Sequence, residues 1–111
     1  MKTEKNGMKK ALIIDTSVFL TYISFNKVYR ITSAIQLHNL EVFVNETLIN
    51  EIERNINKTL QVDANPLEII NQILTATTLV KIVPSFTQSP DPKDNFLFDL
   101  AIQTNSEIII S

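Results

Sequence analysis

The stretch ALIIDTSVFL, residues 11–20, runs four apolar residues straight into a carboxylate. No Lys or Arg follows closely enough to neutralise Asp15. Two later stretches, NETLINEIERNI (45–56) and SPDPKDNFLFDLA (89–101), carry further acids on segments of helical pattern. Carboxylates drawn together from distant segments repel one another unless a cation lies among them. The chain has no cysteine and one histidine, so the ligands on offer are oxygens. Oxygens select a hard ion, Mg²⁺ or Mn²⁺. Such an ion activates water and stabilises the charge that develops in phosphodiester hydrolysis. Metal-assisted hydrolysis is the chemistry these residues could support.

Each acid also has a structural role open to it. Asp15, Thr16 or Ser17 could cap the helix that follows. Asp91, ahead of Pro92, suits an N-cap with proline at the first helical position. Asp94 falls in a first turn, where a carboxylate meets the helix dipole favourably. Asp94 also shares a helix side with Phe98 and Ala101, which turns it toward the packed sheet, where an acid needs a partner. Asp99 lies away from that side and is expected in solvent. Glu51 and Glu53 flank Ile52, and periodicity does not choose between them.

The elements that must position these residues alternate. Ala11–Ile14 reads as a short strand, apolar throughout, as in a parallel sheet covered on both faces. Helical pattern follows over about 18–24 and 27–38, with Val28, Ile31, Ile35 and His38 on one side. Residues 41–44 (EVFV) form a second strand. Asn45 caps a helix whose stripe is Leu48, Ile49, Ile52 and Ile56. Pro66 opens another, through Leu67, Ile70, Ile73 and Leu74. LVKIVP (79–84) is a third strand, 93–104 a helix, and EIIIS (107–111) a fourth strand. Strands alternating with helices indicate an α/β fold, a parallel β-sheet flanked by helices. In such sheets ligands sit outside the carboxyl ends of the strands, which is where Asp15 falls.

A chain of 111 residues is one domain. Residues 1–10 hold four of the ten basic residues and form a basic tail. From Ala11 onward six basic residues face eleven acids. An acidic body argues against a broad electrostatic grip on nucleic acid, while a bound cation can still reach phosphate. The single glycine, Gly7, lies in the tail, so no glycine-rich phosphate cradle is on offer. The absence of cysteine fits a reducing cytoplasm. Asp15 interrupts the only stretch that could pass for an export signal, and no apolar run is long enough to span a membrane.

LIIDTSVFL, NETLINEI and DPKDNFLFDLAIQTNSEIIIS, in this order and spacing, resemble a PIN domain over about residues 10–111. They most resemble the bacterial PIN proteins of toxin–antitoxin pairs. In that family an aspartate ends the first strand and matches Asp15, and a Ser or Asn two residues on matches Ser17. An apolar pair, any residue, Glu and an apolar residue match Leu48 to Ile52, so the resemblance selects Glu51 over Glu53. The third acid stands seven residues before a helix alanine, as Asp94 stands before Ala101. The resemblance implies a three-layer α/β/α fold over 11–111 and metal-dependent RNA cleavage in the cytoplasm. It makes Asp15, Glu51 and Asp94 the catalytic and metal-binding residues, with Mg²⁺ or Mn²⁺. Ser17 orients Asp15 or a water. The implied partners are RNA, an antitoxin protein and a second copy in a homodimer. Family members continue past the strand matching EIIIS into a further aspartate, a helix and a strand. The expectation is a domain lacking that terminal segment and weakened or inactive for want of a fourth acid.

Two other functions compete. The opening LIIDTSV resembles haloacid-dehalogenase-type phosphatases, but Ser17 stands where their second aspartate would be, and a receiver domain would need paired acids there. A PIN-like fold could also act only as a binding domain without catalysis. His38 is expected on a helix face rather than as a ligand. Lys27, Arg30, Arg54 and Lys58 could touch RNA phosphates or simply solvate the surface.

Overall fold

The computed structural model describes residues 9–58, 65–85, 87 and 94–109. Among them four strands and five helices alternate. They are β1 (Lys10–Ile14), α1 (Thr16–Ser24), α2 (Val28–Leu37), β2 (Leu40–Val44), α3 (Glu46–Lys58), α4 (Pro66–Ala76), β3 (Thr78–Leu79), α5 (Asn95–Thr104) and β4 (Glu107–Ile109). The sheet is parallel throughout, in the order β3-β2-β1-β4. Leu12 pairs with Val42 on one side and Glu107 on the other.

This order reverses direction once. The chain moves outward from β1 to β2 to β3, then crosses back to place β4 on the other side of β1. Parallel crossovers are right-handed, so α1–α4 and α5 cover opposite faces. The α5 helix packs on β1, β2 and β4. The other helices pack on one another, α2 also against β2 and α4 against β3. The architecture is the three-layer α/β/α sandwich expected.

The core confirms the apolar runs. Ile13, Val42 and Val44 from the sheet, Phe19 from α1, Leu48 and Ile52 from α3, Ile73 from α4 and Leu100 from α5 are fully buried. In β1 three consecutive residues, Leu12 to Ile14, are buried, the continuous apolar pattern of a strand covered on both faces.

Caps follow the sequence closely at two helices. Asn45 Oδ1 accepts from the Leu48 N–H at 3.0 Å, and Asn65 Oδ1 accepts from the Leu67 N–H at 2.8 Å with Pro66 opening α4. With no glycine in the body of the chain, asparagines end helices instead. Asn26, Asn39 and Asn105 take left-handed backbone conformations, φ 53–58°, which asparagine tolerates better than most residues.

Three expectations need correction. The third strand is two residues long, not six. Val80 N–H still donates to Val44 O at 2.9 Å, but β2 ends there because Asn45 turns into α3. With no neighbour left to pair with, residues 83–85 are held by α5 instead. The helix α5 begins at Asn95, later than expected; Lys93 lies outside the described residues, as does Asp91 with its expected cap. Strand β1 begins at Lys10, which the sequence placed in the tail.

Candidate active site

The strand order reverses beside β1, and open α/β sheets hold ligands in the crevice outside the carboxyl ends of strands at such a reversal, here β1 and β4. Asp15 is the residue at that crevice. Its backbone N–H donates to Ile109 O of β4 at 2.8 Å, so the residue is anchored to both strands that flank the reversal.

Asp15 occupies the N-cap position of α1, with φ −62° and ψ 147°. Its carbonyl starts the helix, accepting from Val18 N–H at 3.0 Å. Its carboxylate does not cap: no side-chain cap bond is made. Asp15 Oδ2 accepts instead from Ser17 Oγ at 3.0 Å. A helix-capping role was the structural alternative for this acid, and the side chain does not perform it. Ser17 itself is exposed and holds the carboxylate from the first turn of α1.

Thr16, between them, is 4% exposed, and its Oγ1 has no hydrogen-bond partner. A buried hydroxyl without a partner is costly. Sequence reading treated Thr16 only as one of three residues that could cap.

Glu51 lies in the second turn of α3, which leaves the carboxyl end of β2 through Asn45. It is half-buried, and its backbone carbonyl accepts from Asn55 Nδ2 at 2.8 Å. Glu53 is half-buried too, so burial does not separate the pair. Asp94 stands at the N-cap position of α5. Because α5 feeds a strand parallel to β1, its N-terminus lies at the same edge as Asp15. The topology thus brings Asp15, Glu51 and Asp94 to one edge of the sheet.

Two details differ from expectation. Asp94 is exposed rather than turned to the sheet. It precedes the first residue of α5, so the spacing to Phe98 and Ala101 does not orient it. Asp99, expected in solvent, is 3% exposed. The Ser85 N–H donates to both its oxygens at 3.1 Å, and Ser85 Oγ donates to Oδ1 at 3.0 Å. Sequence reading missed this acid because nothing local to α5 shows that residues 83–85 pass over it.

His38 follows α2 and is exposed. Among the described residues no three His, Cys, Asp or Glu side chains stand close enough together to hold a metal ion. Asp15, Glu51 and Asp94 share an edge, but the three do not stand together as one ion-holding group. Their donor chemistry, all carboxylate oxygen with a hydroxyl at Ser17, suits a hard divalent cation.

Comparison with known families decides the relationship. Residues 11–111 match the family model of the PIN domain. The chain belongs to the PIN-domain family. No curated protein and no solved structure matches it. PIN membership sets aside the phosphatase and receiver alternatives, and it explains the sheet order and the acid at its reversal as parts of a nuclease-type fold. PIN domains in general depend on a divalent metal and act on RNA. No helix among the described residues is long and apolar enough to cross a membrane.

Proposed function

We propose that this PIN domain is a magnesium- or manganese-dependent endoribonuclease and the toxin of a toxin–antitoxin pair. The observation that carries the nuclease reading is Asp15. It stands at the strand-order reversal, anchored through its backbone to β4, with a carboxylate tethered by Ser17 rather than spent on capping. Asp15, Glu51 and Asp94 would hold the ion. A divalent ion bound there supplies Lewis-acid activation of water and charge stabilisation at the phosphodiester. Ser17 fixes the direction of the Asp15 carboxylate, as an outer partner of a metal ligand does. Glu51, on a helix that starts directly from β2, supplies a second oxygen donor on a rigid element. Asp94, at the start of α5, supplies a third.

The toxin assignment rests on the likeness of the DTS, NETLINEI and DPKDN segments to PIN proteins of toxin–antitoxin pairs. On this reading the chain works in the cytoplasm, and its partners are RNA, an antitoxin protein and a second copy of itself.

The test is incubation of the purified chain with single-stranded RNA, with and without Mg²⁺ or Mn²⁺. Slow cleavage that needs the metal and is lost in Asp15→Asn, with the fold intact by circular dichroism, is the expected result. Absence of cleavage with either metal, or equal cleavage by Asp15→Asn, overturns the reading. Glu51→Gln and Glu53→Gln tested side by side decide between the two glutamates.

A further inference from the structure

The acids and bases of this chain are unevenly spread. Residues 16–40 contain no Asp or Glu, in a body that is otherwise acidic. The same stretch holds Lys27 and Arg30 and both tyrosines. These residues build α1, α2 and the corner between them.

At that corner Thr21, Tyr22, Phe25, Lys27 and Arg30 line an open depression of about 340 Å³. Phe25 is 69% exposed and Tyr22 38%. Phe25 is the C-cap of α1, and its neighbour Asn26 takes the left-handed conformation that turns the chain into α2. The ring is therefore held on a fixed corner. Neither Lys27 nor Arg30 pairs with a carboxylate among the described residues. Singly exposed apolar residues are ordinary, but exposed rings clustered with cations that no acid neutralises are not.

We propose that this corner is a docking surface for unpaired RNA nucleotides, with Phe25 and Tyr22 as stacking platforms and Lys27 and Arg30 as phosphate contacts. Aromatic faces beside cations are what single-stranded nucleic acid binds without regard to sequence. The proposal rests on the ribonuclease reading, since it names where substrate outside the crevice would lie. Its geometry fits that reading. Ser17, Thr21 and Phe25 are four residues apart, so they follow one side of α1, and all three are exposed. That side runs from the Asp15 carboxylate to the aromatic corner. The nine residues of α1 lie between Asp15 and Phe25, so the two are roughly 15 Å apart at about 1.5 Å per residue step, a span a few nucleotides can cover. An acidic body repels RNA almost everywhere else, so the acid-free helices are the side from which a strand can approach Asp15.

The experiment measures binding of the 111-residue chain to a labelled oligouridylate in EDTA, where cleavage cannot intervene. Phe25→Ala should weaken binding roughly tenfold, the usual order for one stacked base. Lys27→Gln with Arg30→Gln should weaken it further at low salt. The pair should also reduce the slope of log affinity against log salt by about 1.4, at 0.7 for each phosphate contact on a single strand. Melting temperatures should not move, because all three side chains are exposed. Binding by these variants equal to that of the parent chain overturns the proposal, as does equal binding of an RNA duplex. A shift of the RNA-free chain from dimer to monomer in Phe25→Ala also overturns it, by assigning the corner to a second copy. A chain that binds in this pattern but never cleaves keeps the docking surface and loses the nuclease reading. A chain that cleaves while Phe25→Ala leaves binding unchanged loses only the docking surface.

Discussion

Asp99 on α5 receives Ser85 from the loop after β3 through three contacts of 3.0–3.1 Å, two from the backbone N–H and one from the hydroxyl. One turn further along the same helix, Gln103 takes Val83 in the same manner. Its Nε2 donates to Val83 O at 2.7 Å, and its Oε1 accepts from Val83 N–H at 3.2 Å. The two side chains do for residues 83–85 what a neighbouring strand would do. Asp99→Ala leaves the partly buried bonds from Ser85 unmet and should cost about 1 kcal/mol of stability, up to about 3. Asp99→Asn keeps an acceptor and should cost less. Urea denaturation midpoints measure both. A change under about 0.5 kcal/mol for Asp99→Ala would show that the clamp is not a source of stability.

The tether between Ser17 and Asp15 yields a second prediction. Ser17 is exposed and its hydroxyl donates to the Asp15 side chain two residues away, so Ser17→Ala should leave stability within about 0.5 kcal/mol. Its effect should appear in the ion site. Losing a partner that orients a metal ligand typically costs ~10–100-fold in metal affinity or activity. Mn²⁺ titration followed by electron paramagnetic resonance, independent of any RNA cleavage, reads this directly. Unchanged Mn²⁺ affinity in Ser17→Ala would remove Ser17 from the site.

The sequence and the structure part at instructive places. The apolar run Ala11–Ile14 announced a parallel sheet because strands covered on both faces need no alternation. Asn45 and Pro66 announced helix starts because capping and the fixed φ of proline are local chemistry. Asp15 was legible because its place depends only on where β1 ends. The short β3 was not legible: LVKIVP has the composition of a strand, and its length is set by where β2 stops pairing. Asp99 was not legible for the same reason, since its burial is supplied by residues fourteen positions earlier. Asp94 looked inward only because the helix was assumed to include it. Among the acids of the proposed site, the end of β1 located Asp15, spacing misjudged which way Asp94 faces, and periodicity could not choose between Glu51 and Glu53.

Thr16 carries a prediction about the first turn of α1. Its Oγ1 is buried with no hydrogen-bond partner, directly after Asp15. A valine has nearly the same shape without the hydroxyl. Thr16→Val should therefore be neutral or stabilising, by up to about 2 kcal/mol, because an unmet buried polar group is removed. Thermal melts of the two chains without metal test this. A loss above about 1 kcal/mol would show that the hydroxyl has a partner in solution.

The last prediction concerns the pair at the start of α2. Tyr29 is solvent-exposed, and its phenol is held below the usual value of 10.0, first by a hydrogen bond from Arg30 and then by the charge of Arg30, with a smaller pull from Lys27. A guanidinium beside a phenol favours the phenolate, and that is the charged form. The sign follows from linkage. A depressed folded-state pKa adds stability that is present above the unfolded value and is lost as pH falls through the folded one. The group is fully exposed, so solvent screens the effect, and titration is a better observable than unfolding. In a Tyr22→Phe background, tyrosinate absorbance reports Tyr29 alone, since the chain has two tyrosines. Arg30→Gln should raise the midpoint toward the value for free tyrosine, and Lys27→Gln should raise it less. Added salt should raise it as well, because the coulombic part is screened while the hydrogen bond persists. A midpoint that stays put in Arg30→Gln would separate Arg30 from Tyr29 in solution.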